Sequence, residues 1–116
     1  MATADQFQSN IVEIPVVIAI NGTVSGIALL HGLTVVGIGM PAAFTGTAIT
    51  LQAGDADGTY RAVNVIGGTA VSLTVAADKY IALDPATLRG IERLKLVSGN
   101  TETAARTITI FARPIQ

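Results

Sequence analysis

Apolar and polar residues alternate with a period of two along most of this chain, and turn-forming residues interrupt the alternation at short intervals. Runs rich in Val, Ile, Thr and Leu are bounded by Gly, Asn, Asp and Pro, a pattern typical of short β-strands joined by tight turns. Within these runs, the alternation predicts that Leu94, Leu96, Ile108 and Ile110 face a core. The pattern predicts strands at residues 11–20, 24–30, 33–40, 47–53, 60–66, 69–75, 79–83, 91–98 and 107–113.

Helical periodicity is nearly absent, and one short signature accounts for it. Asp84 is a suitable N-cap, Pro85 occupies the first helical position, and Gly90 follows as a C-cap, so one helical turn is predicted. The fold class is therefore all-β, an antiparallel β-sandwich of about eight strands with jelly-roll or Greek-key topology. We expect a single sandwich domain at residues 11–116 and a flexible N-terminal arm at residues 1–10.

Residues 14–54 contain no Asp, Glu, Lys or Arg. The stretch is long enough to include a membrane-spanning helix of about 20 residues, but Gly, Asn, Ser, Thr and Pro interrupt it every few positions. It therefore predicts short strands and turns. If only one face of each strand were buried in the core, only every second residue would need to be apolar. Because both strand faces lack charged residues here, the stretch predicts a subunit contact. A Lys at Val24, Val36 or Thr47 is expected to disrupt assembly in at least one case.

The whole chain is poor in charge, which also favours self-association. Charged residues make up 13% of it and hydrophobic residues 50%, whereas an ordinary domain is about 25% charged, so part of the surface is expected to be covered by copies of the chain or by a partner. The net charge of −1, with Lys and Arg scattered among acids, gives no basis for binding nucleic acid. The absence of Cys excludes disulfides and thiolate metal sites.

Few residues offer catalytic chemistry. His31 is the only side chain that titrates near neutral pH, and the nearest charged residue in the sequence is 18 positions away, so a turn residue is the simpler interpretation. Asp55 and Asp57 before Gly58 resemble the start of a calcium loop but lack the EF-hand glycine and glutamate, and a tight hairpin turn explains them. We predict no enzyme and no catalytic, cofactor-binding or metal-binding residue.

The aromatic and basic residues suggest packing and solvation rather than ligand binding. The chain has no Trp, two Tyr and three Phe, a scarcity that argues against a carbohydrate-binding module. Phe111 is interpreted as packing in the core or on a sheet face. The charged residues of the last third, including Glu92, Glu102 and Arg106, are expected to lie on a solvated face or to form ion pairs at the rim. Each such ion pair contributes little to stability.

Short motifs occur in a fixed order over most of the chain, roughly residues 39–113. They are GMPAAFT (39–45), AITLQ (48–52), DGTY (57–60), ALDP (82–85), Gly90, LKLVSG (94–99) and RTITI (106–110). In this order they give the chain a resemblance to a group of small virion proteins of tailed bacteriophages. The chain departs from that group's pattern at Phe44, where Trp is frequent, and in the short loop after Gly58.

The resemblance implies a structural protein of the capsid, similar to decoration or cement proteins that sit on the outer shell and are commonly trimers. We therefore expect a head decoration protein on the virion exterior, made in the host cytoplasm. It is expected to form a homotrimer and to bind the major capsid protein, without cofactor, nucleic acid or membrane. The alternative is a receptor- or glycan-binding sandwich module of a phage tail or fibre.

Overall fold

Two antiparallel sheets pack face to face in the computed structural model, which describes residues 11–55 and 58–114. The architecture confirms the predicted all-β sandwich, while the expected arm at residues 1–10 lies outside the described residues. The described elements are β1 (Val12–Ile18), β2 (Ala28–Leu29), β3 (Thr34–Gly39), β4 (Ala48–Gly54), β5 (Tyr60–Ala62), β6 (Ser72–Thr74), β7 (Tyr80–Ala82), helix α1 (Pro85–Leu88), β8 (Arg93–Ser98) and β9 (Arg106–Arg113).

The strand order is that of a jelly roll. One sheet runs β1-β9-β3-β7 and the other runs β2-β8-β4-β5, with β6 also paired with β4. The strands therefore pair from the outside of the chain inward: β1 with β9, β2 with β8, β3 with β7, and β4 with β5 and β6, all antiparallel. A long hairpin rolled into two sheets produces this nested pairing, which is the arrangement of jelly rolls.

The core lies between the two sheets and takes alternate residues from the paired strands. Leu94, Leu96, Ile108 and Ile110 are each no more than 1% exposed, as the period of two predicts. Among the described residues, Glu102 is the only charged side chain that is buried. The other large core side chains with almost no exposure are Ile18, Leu30, Val35, Ile38, Ile49 and Leu51.

Helix α1 is the single helical turn that the sequence predicts. Asp84 Oδ1 accepts a hydrogen bond from the Ala86 backbone N–H at 3.0 Å, and Pro85 begins the helix where no donor is needed. Arg89 is the C-cap, and Gly90 follows it with a φ of +88°, a left-handed conformation that glycine adopts without strain. The predicted cap, Gly90, thus stands one position beyond the observed C-cap.

The two sheets are joined along one margin of the sandwich, where β1 and β2 are the edge strands. Ile18 pairs with β9 on one side and with Ser25 on the other. The Ser25 backbone N–H donates to the Leu96 carbonyl of β8 at 2.9 Å. The predicted strand at 24–30 is therefore reduced to β2, because the residues before it cross between the sheets and bond to both.

The predicted strands at 60–66 and 69–75 are also shorter than expected. β5 pairs with the C-terminal half of β4, and β6 pairs with its N-terminal half. Between them, residues 63–71 form a hairpin, in which the Val65 backbone N–H donates to the Thr69 carbonyl at 2.8 Å, while the Val63 N–H still donates to the Leu51 carbonyl of β4 at 3.0 Å. This 63–71 hairpin projects from the sheet edge opposite to β2.

Candidate functional site

Glu102 occupies a position that the sequence pattern does not predict. The polar residues around it predict a solvated loop with ion pairs at the rim, but the Glu102 side chain is 0% exposed. Its backbone carbonyl accepts a hydrogen bond from the Asn21 N–H at 2.8 Å, and its own N–H donates to the Gly22 carbonyl at 3.3 Å. The expectation of an exposed Glu102 is wrong because these bonds hold its loop against the turn that follows β1.

The buried carboxylate joins two further segments of the chain. Glu102 Oε1 accepts from the Thr45 N–H at 2.9 Å, and Oε2 accepts from the Gly46 N–H at 3.1 Å. Arg106 Nε, at the start of β9, donates to Oε1 at 3.0 Å. We call these four residues the Glu102 cluster. Both carboxylate oxygens have donors, so the cluster fixes loops rather than offering a free base.

Burial and hydrogen bonding act in opposite directions on the pKa of Glu102. Burial is the largest single effect, and it raises the pKa because it disfavours the charged carboxylate. The bonds from Thr45, Arg106 and Gly46, with the positive charge of Arg106, outweigh burial and hold the pKa below its ordinary value of 4.5. Glu102 is therefore ionised and paired with Arg106 near neutral pH.

Gly46 offers a test of how tightly the Glu102 cluster is packed. A Cβ at this position would lie 2.6 Å from Ser98 Oγ and 2.9 Å from the Phe44 ring. We expect Gly46→Ala to lower the free energy of unfolding by about 1–3 kcal/mol, the usual cost of overpacking, as measured by chemical denaturation. Gly26→Ala is the matched control, since a Cβ there meets nothing within 4 Å. Equal losses in the two variants would contradict the packing argument.

His31 lies in a tight turn, as the sequence predicts. Its φ is +51° and that of Gly32 is +83°, so both residues have the left-handed backbone that reverses the chain between β2 and β3. The imidazole lines an open depression of about 600 Å³ at one end of the β2-β8-β4 sheet. No group of three or more His, Cys, Asp and Glu within residues 11–55 and 58–114 is placed to hold a metal ion.

Asp55 also lines this depression, and its polar atoms contact arginines. Its carboxylate forms an ion pair with Arg61, and its backbone carbonyl accepts a hydrogen bond from Arg93 Nη1 at 2.6 Å. The carbonyl also accepts from the Gly58 N–H at 3.1 Å, and the φ of Gly58 is +88°. The predicted turn therefore forms between β4 and β5, while Asp57 lies outside the described residues.

Three of the aromatic rings pack against neighbouring side chains. Phe111 contacts Tyr80 with 5.1 Å between ring centroids, and it lies on the outer face of its sheet because its neighbours along β9 point inward. The interpretation of Phe111 as sheet-face packing is confirmed. Lys95 Nζ lies 4.1 Å from the centroid of the Tyr60 ring, a cation–π geometry.

Large exposed apolar side chains recur along the segment that runs from the end of β1 to β2. Five large ones lie between residues 17 and 29, and each is 42–57% exposed. All five fall within the charge-free residues 14–54, whereas β3 and β4 of the same stretch are buried or half-buried. We call this group the apolar margin. Its members are Val17, Ile20, Val24, Ile27 and Leu29.

Neither protein-family models nor curated proteins provide a match to this chain. Within the described part of the chain, no helix has the length and hydropathy needed to span a membrane. The apolar margin is the candidate functional site. Water is a poor solvent for its half-exposed aliphatic side chains, so a partner that covers them is favoured.

Proposed function

We propose that this chain is a structural virion protein that decorates and stabilises a bacteriophage capsid from the outside. It forms a homotrimer and binds the major capsid protein, and it acts by burying surface rather than by catalysing a reaction. It is made in the host cytoplasm and is located on the exterior of the virion.

The apolar margin is the observation that carries this proposal. Completing the burial of a half-exposed Val, Leu or Ile contributes about 1 kcal/mol, so five such side chains provide a substantial part of the free energy of a stable contact. The residues 17–29 that form the margin contain no charged side chain, and a partner therefore has no ionised group of this segment to desolvate. A surface of this kind is suited to a permanent subunit contact.

The motifs on which the resemblance to phage virion proteins rests support the proposal, because several of them meet around Glu102. Thr45 of GMPAAFT and Arg106 of RTITI bond to the carboxylate, and Ser98 of LKLVSG lies beside Gly46. These motifs therefore serve to hold loops together, as a protein without an active site requires. Jelly rolls are common in viral capsids, although they also occur in lectins, so the fold alone does not choose between the two hypotheses.

The depression beside His31 bears on the glycan-binding alternative. Aliphatic, charged and glycine residues line it, and none of the lining residues is aromatic. The described site therefore lacks the aromatic platform that sugar-binding sandwiches use. The lack of an aromatic ring in the lining of this depression supports the structural hypothesis.

Light scattering and co-sedimentation test the proposed function. We expect the purified protein to have three times the chain mass, and to pellet with empty capsid shells until a fixed number of copies per shell is bound. A monomer at micromolar concentration would contradict the trimer. Saturable binding to a glycan array, without binding to shells, would favour the tail or fibre module instead.

A further inference from the structure

Asn21 and Gly22 lie in the turn that follows β1, and they form the one Asn-Gly pair of the sequence. In this dipeptide the backbone nitrogen of the glycine can attack the side-chain amide carbon of the asparagine, because glycine has no Cβ to hinder the approach. The new C–N bond closes a five-membered succinimide ring, and ammonia leaves. Water then adds to the ring and opens it to aspartate or isoaspartate. The reaction therefore replaces a neutral amide by a carboxylate.

The Asn21 side chain is open to water, whereas the backbone beside it is held by hydrogen bonds. The residue is exposed, and its φ of +65° is a left-handed conformation that Asn adopts more readily than most other residues. The Gly22 N–H donates to the Ala19 carbonyl at 2.9 Å and so closes the turn. This bond holds the proton that the attacking nitrogen must lose, so the reaction requires the turn to open.

The loop that carries Glu102 controls how readily this turn opens. The Asn21 N–H donates to the Glu102 carbonyl at 2.8 Å, and the Glu102 N–H donates to the Gly22 carbonyl at 3.3 Å. The carboxylate of the same residue is buried, and both of its oxygens accept hydrogen bonds within the Glu102 cluster. The turn is therefore held against a loop that is itself fixed to two other segments of the chain.

The position of Asn21 determines the effect of a new carboxylate. Asn21 follows Ile20, which is 57% exposed, and precedes Val24, which is 42% exposed, in the apolar margin. Residues 17–29 contain no charged side chain, and covering an unpaired carboxylate with another subunit is costly. This step rests on the subunit contact of the proposed function. We propose that Asn21 is a deamidation site, that the Glu102 loop keeps it unreactive in the folded chain, and that its conversion to aspartate or isoaspartate withdraws a subunit from assembly.

Deamidation rates test the protection by the Glu102 loop. Native wild type, wild type unfolded in guanidinium chloride, and native Glu102→Gln are incubated at one mildly alkaline pH, and peptide mass spectrometry follows the acid formed at residue 21. A reaction that needs the open turn follows the population of that state, so we expect the unfolded chain to react more than about tenfold faster than the native wild type.

Glu102→Gln is expected to react at an intermediate rate, because it keeps the fold and weakens the loop. Glu92→Ala, at an exposed position, is the matched control and should react at the wild-type rate. Equal rates in the native and unfolded wild type would overturn the protection of Asn21. A Glu102→Gln rate equal to that of the native wild type would overturn the role of Glu102.

Two substitutions at residue 21 test the effect on assembly. Asn21→Asp introduces the charge of the product, whereas Asn21→Gly keeps a left-handed turn without charge. Sedimentation velocity should give Asn21→Gly the mass of the trimer and Asn21→Asp the mass of one chain, a threefold loss. An Asn21→Asp chain that assembles as the wild type does would overturn the effect on assembly. A monomeric wild type would overturn the homotrimer of the proposed function and this effect with it, while the rates would still decide whether the Glu102 loop protects Asn21.

Discussion

Replacing Glu102 by alanine is expected to lower the free energy of unfolding by about 3–5 kcal/mol, the usual cost of removing one partner of a buried ion pair. The change leaves the half-buried Arg106 without its carboxylate, and it leaves the N–H groups of Thr45 and Gly46 without an acceptor. The loss is a large fraction of the 5–15 kcal/mol that stabilises a typical domain. Urea denaturation followed by circular dichroism measures it.

Glu92→Ala is the matched control, because Glu92 is exposed and exposed substitutions usually change stability by less than about 0.5 kcal/mol. Glu102→Gln is expected to cost less than Glu102→Ala, since the amide keeps the shape and one acceptor oxygen. A loss below 1 kcal/mol in Glu102→Ala would show that the Glu102 side chain does not hold its loop to residues 45–46 and to Arg106.

The lowered pKa of Glu102 gives this stabilisation a defined dependence on pH. Because the folded pKa lies below the ordinary value of 4.5, the unfolded chain binds the proton more readily, and stability rises with pH through this range. The contribution is fully present above about pH 4.5 and is lost as pH falls through the folded pKa. The stability difference between wild type and Glu102→Gln should therefore shrink on acidification; a difference that stays constant would argue against an ionised Glu102.

Val24→Lys is expected to abolish the proposed trimer while leaving the fold intact. Val24 is 42% exposed in the apolar margin, and burying an unpaired ammonium there costs several kcal/mol. A cost of about 3 kcal/mol raises a dissociation constant by more than a hundredfold. Analytical ultracentrifugation over a concentration series measures the shift, and loss of co-sedimentation with capsid shells is expected to accompany it.

The other two positions proposed for lysine now have different expected results. Thr47 is exposed but lies outside the apolar margin, so Thr47→Lys is the control from the same charge-free stretch and should remain trimeric. Val36 is half-buried at the irregularity in β3, so Val36→Lys should lower the thermal midpoint. Trimers of unchanged stability in all three variants would show that residues 14–54 make no subunit contact.

The alternation of apolar residues was sufficient to predict the fold class and nearly all the strands, because burial between two sheets imposes a period of two. It was not sufficient to predict where β2 and the 63–71 hairpin depart from regular pairing. Those departures depend on which distant strand lies alongside: Ser25 bonds to β8, and β5 and β6 share a single edge of β4. A local pattern contains no information about such partners.

The Glu102 cluster was missed for a related reason. A polar loop in a sequence does not reveal which of its side chains is buried, and the donors to this carboxylate come from residues 45, 46 and 106. The 63–71 hairpin, in contrast, has a signal in the sequence, since residues 62–77 are a second uncharged stretch.

The central position of β9 in its sheet has a consequence for the order of events during synthesis. β1 and β3 both pair with β9, so β1 has no neighbour in its sheet, and β3 has only β7, until the ribosome has added residues 106–113 and released them from the exit tunnel. Nascent chains therefore cannot complete this sheet, and the folding step that does so joins segments from the two ends of the domain, which makes it slow. The edge strand β1, from which the proposed subunit contact begins, therefore gains its place in the sheet only after translation has passed β9.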